Sequence, residues 1–260
     1  KSMLNKITTM NYDRVNKKIV SILRDELKSS ERQGYVFGLS GGLDSAVVAS
    51  LLSQAARGTT FALVMPRTGI TPMQDVNDAS DLAKRLNIQF GIVDLASIHS
   101  QILSELPPDR IAGGNLLARI RMCMLYYHAN QRNCLVAGTS DRSELLIGYF
   151  TKYGDGGADI LPIASLYKTQ VRALGKFLKL ADSMLSKKSG PMLWEKHTAE
   201  SEIGMSYEEL DPILYCLFDL KLSVKNTAKK LQVPLEKVEE IRQRHINSAH
   251  KRSLPKICKL

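Results

Sequence analysis

Residues 35–46 read Tyr-Val-Phe-Gly-Leu-Ser-Gly-Gly-Leu-Asp-Ser-Ala: an apolar run, two glycines, then the start of an alanine-rich amphipathic segment. The run predicts a buried strand ending at Ser40, and the segment a helix opening at about Ser45. Without Cβ atoms, Gly41 and Gly42 let the backbone bend sharply and bring its N–H groups against a ligand. The unpaired N–H groups and the positive dipole end of the following helix face the same place. With the hydroxyls of Ser40 and Ser45 added, the chemistry these residues suit is the binding of phosphate oxygens. Ordinary strand–turn–helix connections use the same residue types. The complete Ser-Gly-Gly-x-Asp-Ser at such a junction favours phosphate.

No Gly-Lys-Ser/Thr closes this turn, so it is not a Walker A loop, and γ-phosphoryl transfer is not the first expectation. It resembles the pyrophosphate-binding loop of the ATP pyrophosphatase superfamily, whose members cut ATP between the α- and β-phosphates, attach AMP to a substrate oxygen and retain the pyrophosphate. A second stretch, Gly148-Tyr-Phe-Thr-Lys-Tyr-Gly-Asp-Gly-Gly-Ala-Asp-Ile160, reads by composition as a turn-rich loop. Gly138-Thr-Ser-Asp-Arg-Ser-Glu144 lies just before it and Leu166-Tyr-Lys-Thr-Gln170 just after. Together they resemble the ammonia-dependent NAD synthetase family over about residue 20 to Pro255. Met65-Pro66, Asn115-Leu-Leu-Ala-Arg-Ile-Arg121, Gly204-Met-Ser-Tyr207 and His250-Lys-Arg252 extend the likeness.

That resemblance implies an ATP-dependent amidation. A carboxylate does not react with ammonia at pH 7, because oxide would have to leave. The implied route is attack of the nicotinate carboxylate of deamido-NAD on the α-phosphorus of ATP, then displacement of AMP by ammonia. Several negative charges meet in the first step, so cations and fixed dipoles are expected to dominate. The resemblance gives Asp44 and Glu144 as ligands of Mg²⁺, a hard ion suited to carboxylates. It places ATP against Gly38, Ser40, Gly41, Gly42, Asp44, Ser45, Met65, Arg119, Thr139 and Lys168. Deamido-NAD is implied to meet Asn115, Arg119, Tyr149, Lys152, Asp155, Asp159, His250 and Lys251. Asp44, Lys168 and Asp155 are expected to carry the catalytic roles, with Asp155 binding ammonium and taking its proton. Arg119 and Arg121, two apart, cannot share a helix face, so one is expected to face ligand and the other a structural partner.

One region departs from the family. Where Pro-Ser/Thr-Ala-Asp is usual, the chain reads Ser189-Gly-Pro-Met192, which puts Gly190 at the position of an ATP-contacting hydroxyl. The usual Gln-Thr-Asp-Glu is His197-Thr-Ala-Glu200, with Ala199 in place of an acid.

The elements that must position these residues alternate. Strands are predicted at 35–39, 59–65, 88–95 and 133–137, and helices at 11–29, 45–57, 72–86, 115–130 and 168–180. Thr71 is a candidate cap of the third helix, with Pro72 in its first turn. Repeated βα units predict an α/β fold: a Rossmann-like, three-layer, doubly wound parallel sheet with helices on both faces. Ligands bind such sheets at the carboxyl ends of the strands, where the Ser-Gly-Gly turn sits. Residues 183–205 read as irregular and the tail as a helical extension. The expected organisation is a single domain, 1–260, with a helical segment at about 206–250.

At 260 residues, 44% hydrophobic and 24% charged, the chain can bury a full α/β core. No apolar run approaches the roughly 20 residues of a membrane span, and the first residues lack a signal-peptide core, so a cytoplasmic location without membrane partners is expected. Cys123, Cys134, Cys216, Cys258 and the five histidines show no ligand spacing, and no structural zinc is expected. A net charge of +10 suits either polyanionic ligands or a basic surface. Two other readings compete. A tRNA- or nucleobase-modifying adenylating enzyme would share the loop, but no cysteine pair is spaced for sulfur transfer. Residues 222–246 imitate a DNA-binding helix-turn-helix, yet Glu236, Glu239 and Glu240 would repel phosphates, so no nucleic-acid partner is expected. A glutamine-hydrolysing domain would need about 200 further residues, so free ammonia is the expected nitrogen donor. The resemblance also implies a homodimer, in keeping with apolar positions on more than one face of the helix at 115–130.

Overall fold

The structure, a computed structural model, describes residues 2–187, 190 and 198–258. Four parallel strands form one sheet: β1 (Tyr35–Gly38), β2 (Thr60–Val64), β3 (Gln89–Ile92) and β4 (Leu135–Ala137), in the order β3-β2-β1-β4. Tyr35 registers with Thr60 on one side and Leu135 on the other, and Phe61 with Gln89. A parallel bridge from Ala137 to Ile160 extends the edge.

The helices before the last strand are α1 (Met3–Thr8), α2 (Tyr12–Ser30), α3 (Leu43–Ala55), α4 (Met73–Arg85), α5 (Ala96–Ser104) and α6 (Arg110–Arg132). After it come α7 (Arg142–Ile147), α8 (Lys168–Phe177), α9 (Asp182–Ser186), α10 (Ala199–Ile203) and α11 (Tyr207–Leu214). A π-helical turn (Tyr215–Asp219), α12 (Val224–Leu231), α13 (Leu235–Asn247) and a 3₁₀ turn (Ala249–Arg252) complete the described elements.

Alternation along the strands explains the layers. Tyr35, Phe37, Ala62 and Val64 face α2, α3, α4 and α8, whereas Val36, Leu63 and Val136 face α6. The first face buries Leu23, Val47, Leu51, Leu52, Val171 and Leu174 completely, and each such side chain contributes about 1.5–3 kcal/mol. The buried hydroxyl of Tyr35 donates to Leu23 O at 2.7 Å, which removes the cost of an unpaired polar group.

A separate apolar cluster joins Ile7, Ile147, Tyr207, Leu210, Ile213, Val238 and Ile241. It seats α11 and α13 on α7, and the helix pair 222–246 is therefore a wall of this cluster, with Val238 and Ile241 fully buried. Arg252 donates to Leu145 O at 3.0 Å and His245 Nδ1 lies 2.7 Å from Leu146 O, so this region binds the carboxyl end of α7.

Several predicted boundaries shift. α3 opens at Leu43, two residues early, which places Asp44 in its first turn. α6 starts at Arg110, because Asp109 caps it by accepting from Ala112 N at 2.7 Å. Thr71 does not cap α4: its hydroxyl accepts from Arg67 N at 3.0 Å, and Pro72 is the cap residue. The short helices α1, α5, α7, α9 and α10 have too few turns to show a period. The altered segment 188–197 lies outside the described residues except for Gly190.

Candidate active site

The sheet order changes direction at β1, whose neighbours are β2 and β4, and a cleft of 650 Å³ opens at the carboxyl ends of these strands. Leu39 N still donates to Leu63 O at 3.0 Å, so the loop leaves the sheet only at Ser40. Gly41 has φ +74°, and a Cβ there would stand 2.3 Å from the carbonyl oxygen of Asp75. Both observations demand glycine. Gly42 is the N-cap of α3 and offers no side chain, which leaves the first N–H groups of the helix for a ligand. Ser45 Oγ donates to Gly42 O at 3.0 Å and accepts from Ser40 N at 3.2 Å, while Ser40 Oγ accepts from Gly42 N at 3.3 Å. These hydroxyls hold the shape of the loop.

Beside the loop lies an ion cluster. Nζ of Lys168, the first residue of α8, stands 2.7 Å from Asp44 Oδ2, 2.8 Å from Asp141 Oδ2 and 2.9 Å from Glu144 Oε1. Lys168 and Asp141 have no exposed side-chain surface. Asp141 caps α7 by accepting from Glu144 N at 2.9 Å, and Glu144 returns the bond to Asp141 N at 3.3 Å. This reciprocal box aims both carboxylates at the lysine. Burial alone would lower the pKa of Lys168, but Asp141, Asp44 and Glu144 raise it well above its usual value. Burial, helped by Asp141 and Asp44, pushes Glu144 well up against the pull of Lys168, and burial also raises Asp141. The ring of Tyr207 lies 5.1 Å from the ammonium.

Three carboxylates against one ammonium leave the cluster short of positive charge. Oδ1 of Asp44 is buried with no hydrogen-bond partner among the described residues. Oxygens of Asp44, Asp141 and Glu144 lie within 4.8 Å of one another. Hard, anionic and partly unsatisfied, this donor set fits Mg²⁺.

The opposite part of the cleft carries Asn115, Arg121, Tyr149, Asp155 and Lys251. Asn115 Oδ1 accepts from the Thr151 hydroxyl at 2.6 Å, and Asp155 Oδ1 accepts from Thr151 N at 2.8 Å. Asp155 is reachable from the cleft yet closely surrounded by protein, and that desolvation raises its pKa despite hydrogen bonds from Thr151 and the nearby Lys251. Desolvation likewise lowers Arg121 to about 10, against the attraction of Asp155. Lys251 donates to Gly148 O and Phe150 O, both at 2.8 Å, and so fixes the turn at the head of the glycine-rich loop. Gly148 has φ +70°, and a Cβ would sit 2.1 Å from that of Ser248.

Of the residues expected at the site, Gly38, Ser40, Gly42, Asp44, Ser45, Met65, Thr139 and Glu144 line the cleft together with Asn115, Tyr149, Asp155 and Lys251. Gly41 and Lys168 stand immediately behind its wall. Arg119, Lys152, Asp159 and His250 lie outside it. Arg119 is exposed and donates from Nε to Lys152 O at 3.3 Å. Asp159 accepts from Val136 N at 2.7 Å and Tyr126 hydroxyl at 3.0 Å. Arg121 is thus the cleft-facing member of the arginine pair.

Sequence reasoning also missed Asp141 and Lys187. Asp141 was detectable, since Asp-x-x-Glu is a capping-box pattern. Lys187 had no local signal: its Nζ reaches Asp75 at 2.7 Å, Asp78 at 3.2 Å and Gly41 O at 3.0 Å across more than a hundred residues. Ala199, at the position of the missing acid, is fully buried in the second apolar cluster.

A doubly wound parallel sheet with a glycine-rich turn at its switch point and a charged cleft above it defines an α/β nucleotide-handling enzyme. The chain belongs to the NAD synthase family, whose profile matches residues 15–255. It is 46% identical over 255 residues to an NH(3)-dependent NAD(+) synthetase of Hyperthermus butylicus, covering 97% of this chain and 92% of that one. Among solved structures it resembles an NMN synthetase from Francisella tularensis (TM-score 0.86, 35% identity, 96% of this chain and all of that one). An NH3-dependent NAD synthetase from Campylobacter jejuni, in complex with the nitrate ion, is similar at TM-score 0.83 and 32% identity, with the same coverage.

Proposed function

We propose that this chain amidates deamido-NAD to NAD with ammonia and ATP, the last step of NAD synthesis, through an acyl-adenylate. The observation that carries the reading is the Lys168 ion cluster, placed beside the glycine turn in one cleft with Asp155. In the first step a carboxylate oxygen of the nicotinate ring bonds to the α-phosphorus of ATP, and the bond from that phosphorus to the bridging oxygen breaks. The turn at Ser40, Gly41 and Gly42 receives the departing pyrophosphate through its N–H groups and hydroxyls. Lys168, behind the cleft wall, would offset part of the charge of Asp44, Asp141 and Glu144 and so keep these carboxylates compatible with the phosphates. Asp44 and Glu144, with Asp141, would hold Mg²⁺, which when bound supplies positive charge to the polyphosphate.

In the second step nitrogen bonds to the acyl carbon, AMP leaves with the former carboxylate oxygen, and the surplus proton passes to Asp155. A raised carboxyl pKa suits a base that must hold that proton. Asn115, Tyr149 and Lys251 would orient the nicotinate half. Arg119, Lys152, Asp159 and His250, outside the cleft, would meet the adenylate half or a second subunit. Exposed Tyr127 on α6 supports a homodimer built through that helix. The whole chain would act as one cytoplasmic catalytic domain; no described helix is long and apolar enough to cross a membrane.

Purified protein given ATP, Mg²⁺, deamido-NAD and ammonium should release NAD, AMP and pyrophosphate in equal amounts, and ammonium should not be replaceable by glutamine. Release of ADP, or turnover with glutamine alone at the ammonia rate, would contradict the proposal. The likeness to an NMN synthetase gives a second reading, amidation of a mononucleotide. Competing the mononucleotide acid against deamido-NAD in the same assay separates the two.

A further inference from the structure

We propose that Asp211 is a positioning residue that holds Lys168 and Glu144 in register through the hydroxyl of Ser143. Asp211 sits on α11 and has no exposed surface, and neither does Ser143. Ser143 Oγ donates to Asp211 Oδ1 at 2.6 Å and accepts from the backbone N of Lys168 at 2.9 Å. Asp211 Oδ2 accepts from the backbone N of Thr169 at 2.8 Å. The first two N–H groups of α8, which have no partner within the helix, are thereby satisfied by side chains of two other elements, α7 and α11. The carboxyl oxygens of Asp211, turned toward that end, also complement the helix dipole.

One carboxylate therefore ties two first turns together. The first turn of α7 carries Asp141 as its cap and Glu144, and the first turn of α8 carries Lys168. Ser143 adjoins Glu144 in sequence and bonds the backbone of Lys168, so the link reaches both partners of the 2.9 Å ion pair at their roots. A buried cluster of like charges keeps its geometry only while its backbone supports do not move. Supporting groups of this kind change activity without touching the reacting atoms. Both oxygens of Asp211 accept from different donors, and an amide in its place can accept only on one side.

The inference rests on the phosphate-handling role proposed above for Lys168 and Glu144. Its test compares Ser143→Ala, Asp211→Asn, their double variant and Lys168→Ala in the complete chain, with folding followed by circular dichroism and thermal unfolding. Folded Ser143→Ala and Asp211→Asn should each lose about ten- to a hundredfold in kcat with KM for deamido-NAD unchanged. The double variant should be no slower than the worse single one, because both changes cut the same link. Normal kcat in either folded single variant would overturn the inference, as would multiplying losses, a raised KM for deamido-NAD, or a loss that tracks only the unfolded fraction. Inactive Lys168→Ala beside unimpaired Ser143→Ala and Asp211→Asn would sink this link alone. Normal turnover by Lys168→Ala would sink the reading beneath it and the link together.

Discussion

The ammonium of Lys168 lies 2.7 Å from Oδ2 of Asp44, 124 residues away along the chain, and no part of the lysine side chain reaches solvent. Taking an ammonium out of water costs several kcal/mol, and close carboxylates are what offset it. Here three do so, from the first turn of α3 and the capping box of α7. α8 supplies the lysine at its own first residue. Three helix N-termini converge on one charge.

Lys168→Met is expected to reduce kcat for NAD formation by at least about a hundredfold, the scale of losing a fixed charge beside a developing one. It also leaves three carboxylates without their counter-charge, so the variant should unfold earlier by an amount on the order of 3 kcal/mol. Steady-state assays and thermal denaturation read the two effects separately.

Gly41→Ala would force a Cβ to 2.3 Å from Asp75 O at a positive φ. We expect the turn to deform and KM for ATP to rise about tenfold or more, since roughly 1–2 kcal/mol of backbone strain is added at the ligand-facing loop. Binding of deamido-NAD, measured by calorimetry without ATP, should be unaffected.

Divalent cation should stabilise the protein through the acidic cluster. Thermal unfolding of the wild type should shift upward with added Mg²⁺, and Asp44→Asn or Glu144→Gln should blunt the shift. An unchanged response in both variants would place the ion elsewhere.

Burial raises the Asp211 carboxyl to about 7 from an ordinary value of 3.8, against hydrogen bonds from Ser143 and Thr169 that lower it. The folded chain therefore holds this proton more tightly than the unfolded chain. Its stabilising contribution is complete below about pH 4 and is lost as pH rises through about 7. Relative to Asp211→Asn, wild-type stability should fall across that window, by up to roughly 4 kcal/mol. Paired denaturant titrations at pH 5 and pH 8 check the sign.

The local parts of this design were legible in the residues themselves. Ser40-Gly-Gly-Leu-Asp-Ser carries its strand, turn and helix within a dozen positions, and apolar runs, helical spacing and a proline start signal located β1, β2, α2 and α4. What escaped was non-local or short. Lys168 reads by itself as a solvated lysine, and only tertiary packing brings it to carboxylates 24 and 124 residues distant. α7 has six residues, too few for a hydrophobic period, and so its cap Asp141 went unread. Helical phase separated Arg119 from Arg121 but could not say which faced the cleft, because that depends on where β4 and the glycine-rich loop are laid beside α6. Thr71 was expected as a cap from its residue type, but the fold spends its hydroxyl on Arg67 N.

In the proposed first step the substrate carboxylate itself attacks the α-phosphorus of ATP. Deamido-NAD labelled with ¹⁸O in its nicotinate carboxylate, turned over with ATP and ammonium, tests it most directly. One labelled oxygen is expected in the phosphate of the released AMP, and none in pyrophosphate. Label found in inorganic phosphate, with ADP as the nucleotide product, would contradict it.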